Sequence, residues 1–458
     1  MTTTTDTAPS APGALPLIGH AGRLARDRLG FLEEVRALGP VVRIRLGRTP
    51  VHVVSAPELV QRMLVAGNGV EFDKGGPFFD QAAQLVGDGL STCLAGPHRP
   101  MRAALRPVFA RYQLPHHTER FRDCAVEVTS AWRSGQVVEP YTEMKRFAVA
   151  VLARTLFLAP EDRQAVEAVQ RNVPVMLSAL ATHMMVPGSN RLPTPENWRN
   201  ARASRETRAA VAAMVRRRMS DPVDHHDLMS ALVPPDRPDA YTEQEVFDQV
   251  ITFFIGGTET MSSLLSWTLH LLSRHREEYE RLETELDEVL GDRPITYQDL
   301  GRLTYLRRVI NESLRLHPPV WLLSRVVLVD TELGGHPLPA GAGLLFSPYA
   351  LHRDPDVFAE PGRFDPDRWI EDRIERRHRE AFIPFGAGAR RCVGDAFGLA
   401  EAQTALAVIL RDWRVRPSPG GIPEPLLRMT MRPQGERLVL DRRTDRAPST
   451  GAGVLPGE

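Results

Sequence analysis

The chain has 458 residues, 57 Lys+Arg against 57 Asp+Glu, 42% apolar and 25% charged. Such a mixture builds a sizeable core and excludes an intrinsically disordered chain, while the zero formal charge removes the simplest case for a nucleic-acid or anionic-membrane binder. Cys93, Cys124 and Cys392 are too few for a disulfide framework and point to a reducing, cytoplasmic setting.

In chain order, residues 1–13 are Thr/Ala/Pro-rich, with no basic n-region or apolar h-region, so they read as a flexible leader and not as a signal peptide. Residues 447–458 read as a flexible tail, which leaves 14–446 as one domain. Val41–Leu46 alternates apolar and polar and Val51–Val54 is β-branched, with Gly47, Arg48, Thr49 and Pro50 between them, a hairpin signal. From Pro57 to about Arg315 the apolar period is helical. Beyond Val326 the pattern becomes irregular, with short β-like runs at Val326–Val329 and Leu344–Phe346 and a last clear helix after Gly394. Two uncharged stretches, Asn172–Asn190 and Gly334–His352, are broken by Pro and Gly, so no membrane anchor is expected. The expected fold class is mainly α with a small β portion assembled from both ends.

Thr242-Glu243-Gln244-Glu245 fits a capping box, and apolar residues then recur from Val246 through Phe253, Phe254 and Leu264 to about Leu272. Inside this long helix lie Gly256 and Gly257, each costing about 1 kcal/mol relative to Ala. Either close helix packing compensates, or a flat ligand lies against the backbone beside Glu259 and Thr260. Spacing alone favours packing.

Phe385-Gly386-Ala387-Gly388-Ala389-Arg390-Arg391-Cys392-Val393-Gly394 precedes an amphipathic helix. A cysteine there sits in a positive field that favours thiolate. Cys93 and Cys124 lack that setting and read as small buried hydrophobes. No second Cys or His stands at zinc spacing around Cys392.

Phe385-x-x-Gly388-x-Arg390-x-Cys392-x-Gly394 resembles the haem-binding loop of the cytochrome P450 superfamily. Three further motifs stand in that family's order: Gly257-x-Glu259-Thr260, Glu312-x-x-Arg315, and Pro361-Gly362-Arg363-Phe364 continuing through Asp365-Pro366-Asp367-Arg368-Trp369. The resemblance implies a P450-like single domain, with haem b between the long helix and the helix after the cysteine loop. It makes Cys392 the axial thiolate, with Phe385, Gly388 and Gly394 shaping its loop. His98, Arg102, Arg325 and Arg390 become partners of the haem propionates. Glu312, Arg315 and Arg363 form a structural clamp. Glu259 and Thr260 form an acid–alcohol pair for proton delivery, although Met261 follows where the family often has Thr or Ser.

The implied activity is haem-thiolate monooxygenation of a small hydrophobic substrate. Its pocket is expected from Phe78, Phe79, Met184, Phe253, Phe254, Gly257, Val320, Trp321, Leu322 and Met429, an apolar set without Lys or Arg. The segments Leu15–His20, Phe72–Pro77 and Ser347–Ala350 resemble actinobacterial sesquiterpene oxygenases and suggest a terpene of secondary metabolism; fatty acids and polyketides are the runners-up. A haem-based sensor is the rival class, which Glu259 and Thr260 argue against. The chain shows no Gly-x-Gly-x-x-Gly after a strand and no room for a reductase domain. Electrons from NAD(P)H are therefore expected through a ferredoxin and its reductase, docking on Arg102, Arg106, Arg390 and Arg391 of a monomer.

Overall fold

The computed structural model describes residues 8–76, 79, 83, 87–158, 162–185 (backbone alone at 180–185), 192–220, 223–225, 227–234, 236, 240–419 and 422–443. Among them, the helices of ten residues or more begin with α1 (Arg28–Ala37), α2 (Ala95–Leu105), α3 (Leu114–Ser130), α4 (Pro140–Thr155) and α5 (Arg163–Met185). They continue with α6 (Pro195–Ser220), α7 (Glu243–Arg274), α8 (Arg276–Leu290), α9 (Thr304–Leu316) and α10 (Asp395–Asp412). The strands are β1 (Val41–Leu46), β2 (Thr49–Val54), β3 (Phe72–Asp73), β4 (Gln136–Val138), β5 (Leu323–Val327) and β6 (Thr331–Leu333), then β7 (His336–Leu338), β8 (Gly343–Phe346), β9 (Trp413–Pro417), β10 (Glu424–Leu427), β11 (Met431–Gln434) and β12 (Leu438–Arg442).

Strands from distant parts of the chain share one five-stranded sheet, in the order β1-β2-β8-β5-β3. Strand β2 begins at Thr49, so the β1–β2 turn is Gly47-Arg48 alone, with Gly47 at φ +63° and Pro50 opposite Arg45. A β reading that runs to Val329 overshoots, because Leu328 and Val329 are exposed beyond the end of β5. The period of two divides the apolar residues between two cores. Val42, Ile44, Val51, Val53 and Leu345 pack with Phe31 and Val35 of α1 on one face. Leu344 and Phe346 pack with Met63, Leu64 and Phe72 on the other. Part of the expected leader joins this sheet: Ser10 bridges Arg43, and Arg43 N–H donates to the Pro9 carbonyl at 2.7 Å. An edge strand with free backbone groups accepts such an addition.

Helix α7 runs 32 residues, about 48 Å at the α-helical rise, through the largest apolar cluster. Thr242 and Glu245 exchange both capping-box bonds. Among the described residues no helix is long and apolar enough to cross a membrane.

Arg315 and Glu312 of α9 are both 0% exposed. Arg315 gives Nε and Nη2 to the two carboxylate oxygens of Glu312 at 2.9 and 2.7 Å. Its remaining donors reach the carbonyls of His352, Pro361 and Arg363 at 2.9, 2.7 and 3.0 Å. Glu312 also accepts Trp369 Nε1 at 2.9 Å and the Asp365 N–H at 3.1 Å, with Arg368 Nε at 3.4 Å. This corrects the expected role of Arg363. It contributes only its backbone carbonyl, while its side chain, 64% exposed, pairs with Glu360 at the surface. The side-chain partners from this segment are Arg368 and Trp369.

Removing one member of a buried pair leaves an uncompensated charge. Arg315→Ala or Glu312→Ala is therefore expected to lower unfolding free energy by about 3–5 kcal/mol, and Arg363→Ala by no more than about 0.5 kcal/mol. Urea unfolding of the three variants checks the ranking.

Candidate active site

The cysteine loop is held by its own backbone. Cys392 N–H donates to the Phe385 carbonyl at 2.9 Å, and Arg391 N–H to the Gly388 carbonyl at 3.1 Å. Gly388 has φ +63°, and a Cβ there would come within 2.1 Å of the Leu64 carbonyl oxygen. Only glycine fits. Gly394 is the N-cap of α10 and its N–H points to the Cys392 sulfur. The thiol is enclosed by protein and yet Cys392 has accessible surface, because it opens on an interior cleft. Burial pushes the thiol pKa up, and the Gly394 N–H, Arg102 and Arg391 do not reverse it. The positive field expected from the sequence is present and is outweighed by desolvation; a metal cation supplies the larger stabilisation that deprotonates a coordinating thiol.

Helix α7 forms the opposite wall. Every residue from Val246 to Ile255 is buried, then Gly256 is exposed and Gly257 and Thr260 half-exposed on one side while Thr258 and Glu259 stay buried, and every residue from Met261 to Leu272 is buried again. A Cβ on Gly256 would meet no atom within 4 Å, whereas one on Gly257 would lie 2.8 Å from Leu152 of α4. The two glycines thus answer different demands: Gly257 admits a neighbouring helix and Gly256 leaves open the face of the cleft. The pocket role expected of Gly257 belongs to Gly256. Two contacts place this wall over the cysteine loop. Met261 Cε lies 3.5 Å from where a Gly398 Cβ would stand on α10, and Phe253 stacks on Phe109 at 5.2 Å, which meets Phe397 edge-on at 5.8 Å.

Thr260 donates its hydroxyl to the Gly256 carbonyl at 2.5 Å. Glu259 faces the other way: Tyr141 OH donates to Oε2 at 2.6 Å and Lys145 Nζ to Oε1 at 2.7 Å. Burial pushes the Glu259 carboxyl up, but Lys145, Tyr141 and Arg432 together hold it below its ordinary range. Tyr141, Lys145 and Arg432 escape sequence reasoning because each is more than a hundred residues from Glu259.

A third group flanks the cleft. Arg390 is buried, with Nη2 on Asp73 at 2.9 Å and Nη1 on the Cys93 carbonyl at 2.8 Å. It therefore leaves the docking face expected of it. Arg325, 5% exposed, donates to the Ser324 carbonyl at 2.7 Å and lies 5.5 Å over the Phe346 ring. Burial and Arg390 bring its pKa down to about 10. Burial, Arg390 and Lys74 bring buried His98 to about 4. Lys74, to which the sequence assigns no role, donates to the Ser91 carbonyl, and burial with Arg390 and Arg325 brings it to about 7. Asp73 is the carboxylate among them, and it also caps the Ala95 N–H at 2.8 Å. Among the described residues, the Nε atoms of Arg325 and Arg390 have no partner. Arg102 holds the loop directly, Nη1 on the Arg391 carbonyl at 2.6 Å.

The remaining expected pocket residues divide. Trp321 is 7% exposed, packs with the α1 face of the sheet, and donates its indole N–H to the Arg428 carbonyl at 3.0 Å. Its expected pocket role is replaced by a core one. Phe253 and Phe254 likewise belong to the α7 core cluster. Phe79, Val320 and Leu322 are half-buried, and Met429, 39% exposed, stands at the β10–β11 turn. Phe78 and the side chain of Met184 lie outside the described residues.

The sequence profile described as Cytochrome P450 matches residues 9–440. The chain belongs to the cytochrome P450 family. It is 39% identical over 416 residues, 90% of each chain, to cyclooctat-9-en-7-ol 5-monooxygenase of Streptomyces melanosporofaciens. It is 38% identical over 440 residues to pentalenene oxygenase of Streptomyces avermitilis, covering 95% of this chain and 97% of that one. The crystal structure of cytochrome P450DA heme domain superposes with a TM-score of 0.85 at 25% identity, covering 96% and 98% of the two chains. The protein is a P450 monooxygenase with a haem-thiolate centre.

The residues present fit that haem. Cys392 is the one cysteine opening on the cleft, since Cys93 and Cys124 are buried. Lys74, Arg325 and Arg390 outnumber Asp73, with His98 beside them as a neutral imidazole and guanidinium Nε atoms that have no partner among the described residues, which suits two propionates. Anionic propionates beside Lys74 should return its pKa from about 7 towards the ordinary lysine range. Loading haem at pH 8 is accordingly expected to be nearly proton-neutral, the proton gained by Lys74 offsetting the one lost from the Cys392 thiol, and Lys74→Met should expose a net release of about one proton. Isothermal titration of the apoprotein in buffers of different ionisation enthalpy measures it.

Proposed function

We propose that this monooxygenase oxidises an unactivated C–H bond of a cyclic terpene, a sesquiterpene hydrocarbon first. The observation that carries this reading is near-full-length similarity to two Streptomyces oxygenases named for pentalenene and for cyclooctat-9-en-7-ol. The half-buried Phe79, Val320 and Leu322 and the bare Gly256 face agree, since a hydrocarbon offers no polar handle and is oriented by shape. Burying such a ligand at about 25 cal/mol per Å² of apolar area supplies micromolar affinity without a hydrogen bond.

When bound, the haem supplies the reductive activation of dioxygen that inserts one oxygen atom into the substrate. The chain's own part is to exclude water with apolar walls and to deliver protons. Thr260 holds a hydroxyl on the cleft face, its proton on the Gly256 carbonyl and its oxygen free to accept. Glu259, one residue before it, faces the opposite side of α7, where the carboxylate can be recharged away from the substrate. Electrons are drawn from NAD(P)H through a ferredoxin and its reductase. Arg106 and Arg391, exposed on the outer side of the cysteine loop, support docking of an acidic partner there, without Arg390.

Titrating the haem-loaded protein with a cyclic sesquiterpene series and a fatty-acid series, read by the shift of the haem absorption, tests the substrate class. Saturable shifts at micromolar sesquiterpene are expected. Shifts from fatty acids alone, rising with chain length, would overturn the terpene reading.

Thr260→Ala is expected to keep haem and substrate affinity. It should lower product formed per NAD(P)H consumed by about a hundredfold, the low end of what one positioned proton donor contributes, with peroxide making up the balance. Parallel product, peroxide and NAD(P)H assays measure the partition.

A further inference from the structure

On the far side of α7 from the cysteine loop, Tyr141 and Lys145, which hold the Glu259 carboxylate, line a second cavity. It has a volume of about 640 Å³ and lies between α4 and the β10–β11 hairpin. That is within the range of small-molecule sites. Its wall carries Lys145 and Arg146 from α4 and Arg428 and Arg432 from the hairpin, against Glu139 as the acid in the wall. Glu139 is engaged by Thr142 at 2.7 Å, and Glu143 behind the wall pairs with Arg146 at 2.9 Å. Arg428 is exposed, and neither it nor Arg432 forms an ion pair among the described residues. Arg432 lies 4.7 Å over the ring of Tyr141, whose hydroxyl holds Glu259. Lys145 is shared, half-buried at the foot of the cavity with Nζ on Glu259.

We propose that this cavity binds a small phosphate-type anion, and that its occupancy is coupled to Glu259 through Lys145. Guanidinium forks match phosphate oxygens bidentately, and two arginines outside any ion pair among the described residues flank the space such a group would fill, Arg432 acting on Glu259 only as a nearby charge. A second anion competes with Glu259 for the Lys145 ammonium. The anion therefore loosens the grip on Glu259, and the charge on Glu259 weakens the anion by the same factor. Pyrophosphate fits better than orthophosphate, because Arg428 and Lys145 enter from opposite walls. This inference rests on the surroundings of Glu259 and not on the terpene reading, and its test involves no substrate.

The experiment is calorimetric titration of the haem-loaded full chain with pyrophosphate and, separately, with orthophosphate, at constant ionic strength. One saturable pyrophosphate site is expected, weakened about tenfold by Arg428→Ala and by Arg432→Ala. Arg163→Ala, at an 85% exposed position on α5, should change nothing. Glu259→Gln removes the competing carboxylate and is expected to tighten pyrophosphate about fivefold. Absence of saturable binding, or binding indifferent to both hairpin variants, overturns the site. Binding that the hairpin variants weaken but Glu259→Gln leaves unchanged overturns the coupling.

Discussion

A guanidinium buried without water must place all of its donors, and Arg315 does so on one carboxylate and three backbone carbonyls. Those carbonyls belong to the segment 352–363, which has little regular structure of its own. Arg315 thus converts an irregular stretch into a fixed one, and Glu312 fixes its continuation through Asp365, Arg368 and Trp369. The cysteine loop follows some twenty residues later and is seated by Gly388 against the Leu64 carbonyl. A desolvated pair of this kind contributes little net stability relative to an apolar substitute. Its value here is geometric, since it sets the path by which Cys392 reaches the cleft.

Lys74, Arg325 and Arg390 crowd one side of the cleft with Asp73 as counter-charge, and burial and the neighbouring cations depress the pKa of Lys74, His98 and Arg325, leaving His98 neutral. A fold that concentrates like charge in a dry region loses stability unless an anion completes it, so the same cations that disfavour the bare protein favour a dicarboxylate cofactor. Desolvation acts in the same sense on Cys392, keeping its thiol protonated until a cation arrives.

Helix α7 separates two environments one residue apart. Thr260 and Gly256 look onto the cleft, while Glu259 is gripped from outside by Tyr141 and Lys145. A rotation of about 100° per residue makes this unavoidable for adjacent positions on a helix. The two neighbouring residues are therefore partitioned, with the Thr260 hydroxyl on the Gly256 side of α7 and the Glu259 carboxylate on the side of Tyr141 and Lys145.

Local pattern determined a good deal. The capping box at Thr242, the hairpin around Gly47, the glycine-flanked cysteine and the Glu312–Arg315 spacing are all interactions within a few residues, so their signals survive in the linear chain. The tertiary structure decided whatever depends on which surfaces meet. Gly256 and Gly257 are indistinguishable in sequence, and only the approach of Leu152 assigns packing to one and the cleft to the other. Arg363 and Arg368 are both arginines beside the same motif, and the turn at Glu360 sends one side chain to solvent and the other to Glu312. Arg390 and Arg391 are neighbours, yet one is buried on Asp73 and the other exposed beside Asp395. Trp321 looked like a pocket aromatic until the sheet and α1 closed over it. Tyr141, Lys145 and Arg432 reach Glu259 from elements far away in the chain, and no periodicity or spacing carries that information. The chemistry was written in short motifs; its direction, inward or outward, was set by helix packing.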